Sequence, residues 1–279
     1  FEDRLDYTRA LYQAQSYCDA VTQAQKLLGE APAARKTELT GILGFSQVNC
    51  GDSLSALTNL RTYFTTQDPA KITPGAYIEY GKLFLKLGQT DSASVYYLKG
   101  INGDTAKNKT DVYRDVAEAF KAKKEFCKSG EWYDNLVKAN PDAQAADYVW
   151  RVIMYYYCKD WTNAGRAAQE FVNKHGEQQP SAYYWQGRVG SALDSEATTG
   201  GGVQFFEKWL EKVGPSYDKK NDLKVAYQYL MYCAFNAKDK EKLKMWKEKL
   251  LAIDPNDKSV KEIEEIERNQ GGRQPAPRK

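Results

Sequence analysis

Apolar residues recur three and four positions apart along this chain, in segments of roughly a dozen residues divided by short polar breaks. Residues 77–101 show the pattern. Tyr77, Tyr80, Phe84 and Leu87 form one stripe and Ala93, Tyr97 and Ile101 a second, with the turn Leu87-Gly88-Gln89-Thr90-Asp91 between them. Such stripes predict two amphipathic helices joined by a tight turn. Strand signals are weak, because no Asn-Gly or Asp-Gly pair sits between alternating apolar runs.

The helix–turn–helix unit recurs. Residues 20–34, 132–143 and 248–257 each end a helix with apolar residues and then reach a proline, which cannot continue a helix interior. The position that the repeat family resembled below keeps small in its first helix falls here at Thr8, Gly44, Gly81, Ala117, Val152, Gly187 and Met231. The separations are 36, 37, 36, 35, 35 and 44 residues. That family's second-helix small position falls at Ala20, Ala56, Ala93, Ser129, Ala164, Gly202 and Leu243. Small residues belong where the two helices of a unit touch, with axes about 8–10 Å apart.

These features resemble the tetratricopeptide repeat family, which places an aromatic, Leu-Gly and Tyr in the first helix, then Ala, an aromatic and a final Pro in the second, over about 34 residues. The resemblance implies an all-α, right-handed α-α superhelical solenoid of seven helix pairs plus a C-terminal capping helix. The expected units are 1–34, 37–69, 74–104, 110–141, 145–176, 180–214 and 224–255, with a cap over 259–269, all in a single domain, 1–269. The Gly/Pro-rich, basic stretch 270–279 is expected to be disordered. Unit one departs from the pattern with Arg4 at an aromatic position. Unit six is stretched by 194–202 inside the pair and by 212–222 after it.

Composition narrows the function. With 40 Lys and Arg against 37 Asp and Glu, the charge is +3, which argues against a nucleic-acid-binding face. No stretch approaches 18 apolar residues, so no transmembrane segment is expected. The single histidine, His175, ends a predicted helix and is expected to cap it there as a cation. No phosphate loop, nucleophile elbow or zinc-protease helix occurs, and Gly200–Gly202 lacks a following Lys-Ser/Thr. The triple glycine therefore reads as a flexible turn. No catalytic residue, cofactor or metal is expected.

The resemblance also implies a concave groove lined by one face of each first helix, where extended peptides bind. Carried onto this sequence, that face holds Tyr12, Phe45, Lys82, Arg114, Lys121, Tyr156, Tyr157, Tyr184, Arg188, Tyr232 and Phe235. The C-terminal half is aromatic, and 20 tyrosines suit such a surface by bringing large contact area with few rotors. The alternative is that the solenoid curls tightly and these rings pack on each other. The Lys/Asn/Lys/Arg set with which some family members hold a peptide carboxylate is not found in units one to three.

Five cysteines occur, without a Cys-x-x-Cys pair. Cys18 and Cys127 each stand two residues before a second-helix small residue, Ala20 and Ser129; Cys50 and Cys158 each stand six before theirs, Ala56 and Ala164. This repeated placement suggests disulfides Cys18–Cys50 and Cys127–Cys158, leaving Cys233 reduced. The alternative is that all five are small buried hydrophobes. Disulfides would favour an oxidising compartment. The start, Phe1–Tyr7, carries no signal-peptide pattern, so either a leader has been removed or the chain was trimmed. The reading is a non-enzymatic interaction scaffold for a protein or extended peptide, in the periplasm or cell envelope, with a cytoplasmic location as the alternative. A second reading is a small-ligand (glycan or peptide) binder or a non-catalytic subunit of an enzyme complex.

Overall fold

The computed structural model describes residues 1–103 and 109–271. Its described residues are helical and turn-forming throughout, with no strand among them. They fall into two compact units, Phe1–Val112 and Tyr113–Lys279.

In the first unit, α1 (Glu2–Gln13) pairs with α2 (Tyr17–Leu28), α3 (Ala33–Cys50) with α4 (Ser53–Thr66), and α5 (Pro74–Lys86) with α6 (Thr90–Gly103). A single 3-10 turn, Pro69–Lys71, leads into α5. α7 (Lys109–Ala122) runs into the second unit, which continues with α8 (Phe126–Ala139), α9 (Ala145–Tyr157), α10 (Trp161–His175), α11 (Ser181–Leu193), α12 (Val203–Val213), α13 (Lys220–Asn236), α14 (Lys240–Ile253) and the final α15 (Lys258–Gly271). Within each unit, a helix packs on its successor in sequence, as in α2 on α3 and α10 on α11. This is the all-α helical-repeat solenoid that the resemblance implies.

The residues at both marker series are buried. A Cβ on Gly44 would stand 2.6 Å from Leu60, on Gly81 3.0 Å from Tyr97, and on Gly187 2.8 Å from Phe206. Contacts this close leave no room for a larger residue. In the fourth pair the second-helix position is Ser129, whose buried hydroxyl donates to the Ala117 carbonyl at 2.8 Å. Trp132, Tyr133, Phe206, Trp209 and Trp246, all on second helices, are core.

Helix ends follow local chemistry. Asp52, Asp160 and Asp239 cap α4, α10 and α14 by accepting from Ser55, Asn163 and Lys242 N–H groups. Thr73 caps α5, with Pro74 at its first position. The turn inside each pair contains one residue in the left-handed region: Gln15, Gly51, Gly88, Lys124, Lys159 and Lys238, at φ from +57° to +99°. The sixth pair departs from this rule, as its stretched sequence anticipates.

Three expectations need correction. α13 begins at Lys220, four residues before the expected start at 224, because the linker 212–222 closes into the helix early. α15 runs through 270 and 271, which the sequence reading assigned to the tail; the rest of that tail, 272–279, lies outside the described residues, as does the expected end of unit three at 104. His175 does end α10, but its ring lies edge-on to Tyr148 at 4.8 Å and its buried Nε2 has no hydrogen-bond partner. Burial, then the nearby Lys174 charge, push its pKa down, and with its Nε2 buried and unpartnered the ring does not serve as the expected capping cation.

Candidate partner-binding face

In the first unit the sequence-selected residues are held locally. Tyr12 meets Tyr17 edge-on at 5.8 Å. Lys82 is largely exposed and pairs with Glu79 at 2.7 Å. Phe45 is buried, edge-on to Tyr63 and Phe64, and so is unavailable to a partner.

The second unit brings more of the set together. Arg114 on α7 makes a two-pronged pair with Asp147 on α9, at 2.9 and 3.0 Å. Asp147 also accepts from the Gln144 N–H at the start of α9. About two helical turns further along α7, Lys121 pairs with Glu118 and lays its ammonium 3.7 Å from the centre of the Trp150 ring on α9. Trp150, Ile153 and Tyr157 share one face of α9 by their three- and four-residue spacing. Trp150 is 36% exposed and Tyr157 57%, and the Tyr157 ring meets Phe126 at a tilt and Tyr156 edge-on.

Tyr156 turns toward α11. Its hydroxyl accepts from Arg188 Nη2 at 3.0 Å, and its ring meets Trp161 and Trp185 edge-on at 5.3 and 5.6 Å. Arg188 Nη1 donates to the Tyr184 oxygen at 3.0 Å. Tyr184 in turn donates to Asp222 at 3.2 Å and packs its ring on Trp209 at 4.8 Å. Tyr184 is buried, which corrects its assignment to a groove surface: only its oxygen takes part, by holding Arg188. Tyr232 on α13 is half-buried and donates to Glu262 at 2.9 Å; burial, then that carboxylate, push its phenol up to about 12. Phe235 packs against the core of α12–α15.

The face is thus built by α7, α9 and α11, with Trp161 at the start of α10 packed against Tyr156. Trp150 and Trp185 lie on it and are not among the residues that the sequence selects. Trp150 was legible in principle, since it completes the α9 stripe with Ile153 and Tyr157.

The triple-glycine turn, expected to be flexible, is instead tied down by hydrogen bonds. The stretch 194–202 folds around the buried Asp194 carboxylate, which accepts from the N–H groups of Thr198, Thr199 and Gly200 and from the Tyr229 hydroxyl. Burial alone would raise this carboxyl; those bonds outweigh it and hold it well below the usual carboxylate range. Asn236 Nδ2 clamps the same stretch from α13 by donating to the carbonyls of Glu196 and Ala197. This turn walls a pocket of about 350 Å³ that reaches Leu230, Trp246 and Cys233. Burial pushes the Cys233 thiol up.

The other cysteines are paired. Cys18 on α2 is bonded to Cys50 at the end of α3 with Cα atoms 5.2 Å apart, and Cys127 on α8 to Cys158 after α9 at 5.4 Å. Both separations lie inside the range that a disulfide requires. No group of three or more possible metal ligands occurs among the described residues.

No family model matches the chain, and no curated protein does. Its likeness is to solved structures. The C-terminal part of a TPR repeat-containing protein from Cytophaga hutchinsonii is 22% identical over 92% of this chain and 98% of that one, with a TM-score of 0.56. Naa15/Naa10 bound to HypK-THB matches at 14% identity and a TM-score of 0.50, over 93% of this chain and 43% of that one. A tetratricopeptide repeat protein from Parabacteroides merdae is 13% identical over 94% and 96%, with a TM-score of 0.44. At these identities the likeness concerns the fold.

Proposed function

We propose that this chain, whose fold is that of the tetratricopeptide-repeat proteins, is a non-enzymatic scaffold that holds an extended segment of another protein against the α7/α9/α11 face. The observation that carries this reading is the apolar strip of Trp150, Ile153 and Tyr157, with two large rings left open on one side of α9. Exposed aromatic strips with a polar border favour a macromolecular partner. Trp and Tyr give such a strip large contact area at small entropic cost. Lys121 beside Trp150 and Arg188 beside Tyr156 supply the polar border.

The test is selection of random peptides on the wild-type protein and on the double variant Trp150→Ser/Tyr157→Ser. Trp150 is 36% exposed and carries Lys121 on its ring, so the helical content of the variant is checked by circular dichroism before selection. The reading expects the wild type to enrich a related set of peptides that the variant fails to hold. Equal enrichment by both would move the partner elsewhere.

The two disulfides support an exported or envelope-associated setting over a cytoplasmic one, because such bonds persist in oxidising compartments. A second reading, a small-ligand binder, is favoured by the pocket beneath the 194–202 turn, whose volume falls at the small end of ligand sites.

A further inference from the structure

The stretch that sets the sixth pair apart in sequence, 194–202, forms one wall of the 350 Å³ pocket. Leu230, Cys233 and Ala234 of α13 line it, and the start of α14, from Asp239 to Trp246, closes the other side. None of its lining residues belongs to α7, α9 or α11, so it is separate from the peptide face. The wall is fixed. Asp194 holds the N–H groups of Thr198, Thr199 and Gly200, and Tyr229 and Asn236 tie the same turn to α13. The volume lies within the range of small-molecule sites.

Every charge around the pocket is already matched. Lys242 of α14 pairs with Glu207 of α12 at 3.0 Å. Asp239 accepts from the backbone N–H of Lys242 and so occupies the N-terminus of α14, where an anion would otherwise be favoured. The Asn236 amide is taken up by the carbonyls of Glu196 and Ala197. The Trp246 ring already has the Lys249 ammonium 5.0 Å from its centre, which would repel a second cation. An ion of either sign would lose its hydration here and gain no counter-charge. What the pocket offers instead is apolar: Val203, Leu230, Ala234 and Trp246. One neutral polar group remains on the wall, the Thr199 hydroxyl, which makes no hydrogen bond among the described residues.

On the strength of the small-ligand reading above, we propose that this pocket holds a free, uncharged small molecule, a rigid body of two or three fused rings with one hydroxyl or carbonyl group directed at Thr199. A wall of fixed shape selects a rigid ligand, because neither side then loses freedom on binding. None of the large exposed apolar side chains lines the pocket, so a protein partner would find no apolar surface around it to extend onto. The inserted turn thus gives the scaffold a second site, of different chemistry from the α9 strip.

The experiment uses the full chain and three naphthalenes that differ in one group: neutral 2-naphthylmethanol, anionic 2-naphthoate and cationic 2-naphthylmethylammonium. Binding is read from the backbone amide shifts of Thr199, Gly200 and Ala237, on the wild type and on Ala237→Trp. Ala237 is exposed and lines the pocket, so the larger side chain fills the space. The wild type should bind the alcohol with a Kd below about 1 mM, at least about tenfold more tightly than either ion. Ala237→Trp should weaken the alcohol at least about tenfold and leave unchanged the binding of a peptide selected on the α9 strip. Should Ala237→Trp not fold, nuclear Overhauser contacts on the wild type replace it, and they should run from the naphthyl protons to the methyl groups of Leu230 and Val203. An ion bound as tightly as the alcohol would overturn the assigned ligand class while leaving a small-ligand pocket in place. Shifts that survive Ala237→Trp, missing methyl contacts, or no response to the alcohol would remove the pocket as a small-ligand site. A selected peptide that shifts these amides when the alcohol does not would give the pocket to a protein partner and overturn the proposal.

Discussion

Tyr229 donates its phenolic proton to the Asp194 carboxylate at 2.8 Å, and the same oxygen accepts from the Gly202 N–H at 3.1 Å. One side chain of α13 therefore ties both ends of the 194–202 stretch. Tyr229→Phe removes both bonds without changing the ring, and should cost about 1–3 kcal/mol, because the Gly202 N–H is left buried without a partner. Hydrogen exchange at Thr198, Thr199 and Gly200 should accelerate in that variant. Unchanged exchange would mean that the turn is held from elsewhere.

The Asp194 carboxyl sets a pH dependence with a definite sign. Its pKa is lowered on folding, so its stabilisation is present above the unfolded value of about 3.9 and is lost as the pH falls toward the folded value. The stability gap between the wild type and Asp194→Asn, read by urea titration, should be widest near neutrality and should narrow below about pH 4.

Two glycines with opposite surroundings test the packing. A Cβ on Gly190 would stand 2.8 Å from the Gly201 carbonyl oxygen and from the Gly202 Cα, both backbone atoms that cannot rotate away. Gly190→Ala should lower stability by about 1–3 kcal/mol. Gly165, in the middle of α10, has only Val189 at 4.0 Å, so Gly165→Ala should raise stability by about 0.5–1 kcal/mol. Gly81→Leu belongs with Gly190, since even a Cβ there already meets the Tyr97 ring at 3.0 Å. Thermal melts of the three variants check the set.

Arg151 is buried to 1% exposure and meets Asp134 at 3.4 Å and Glu170 at 2.6 Å. Tyr155 donates to the same Asp134 at 2.9 Å. Arg151→Met leaves a buried carboxylate with fewer partners and should cost about 3–5 kcal/mol. Removing Glu30 from its fully exposed pair with Arg4 should change stability little by comparison.

Each disulfide closes a loop of 31 or 32 residues. Replacing both partners of either pair by Ala should cost about 3–4 kcal/mol by the chain-entropy estimate. Thiol titration of the denatured, unreduced protein should count one free thiol, that of Cys233. Five would remove both bridges and the support they lend to an oxidising compartment.

Much of the architecture was legible because it rests on spacing. Gly44, Gly81, Ala93 and Ala164 stand where helix axes come together, and only small residues fit there. The cysteine placement was legible for the same reason, being a matter of register. What spacing does not carry is how far a large ring reaches. Phe45 and Tyr184 occupy the same face of their helices as Tyr156, yet their rings fold inward onto Tyr63 and Trp209. The 194–202 turn was illegible for another reason. Its order comes from Tyr229 and Asn236, 35 to 40 residues away in sequence, and composition alone reads three glycines as slack.

The central claim is that a partner segment lies along the α9–α11 face, and site-specific photo-crosslinking tests it most directly. A benzophenone amino acid at Ile153, between Trp150 and Tyr157, is compared with the same group at Met245, an exposed position on α14. With a selected peptide bound, illumination should join the peptide to position 153 and leave position 245 unmodified. Crosslinking at 245 with none at 153 would contradict the account.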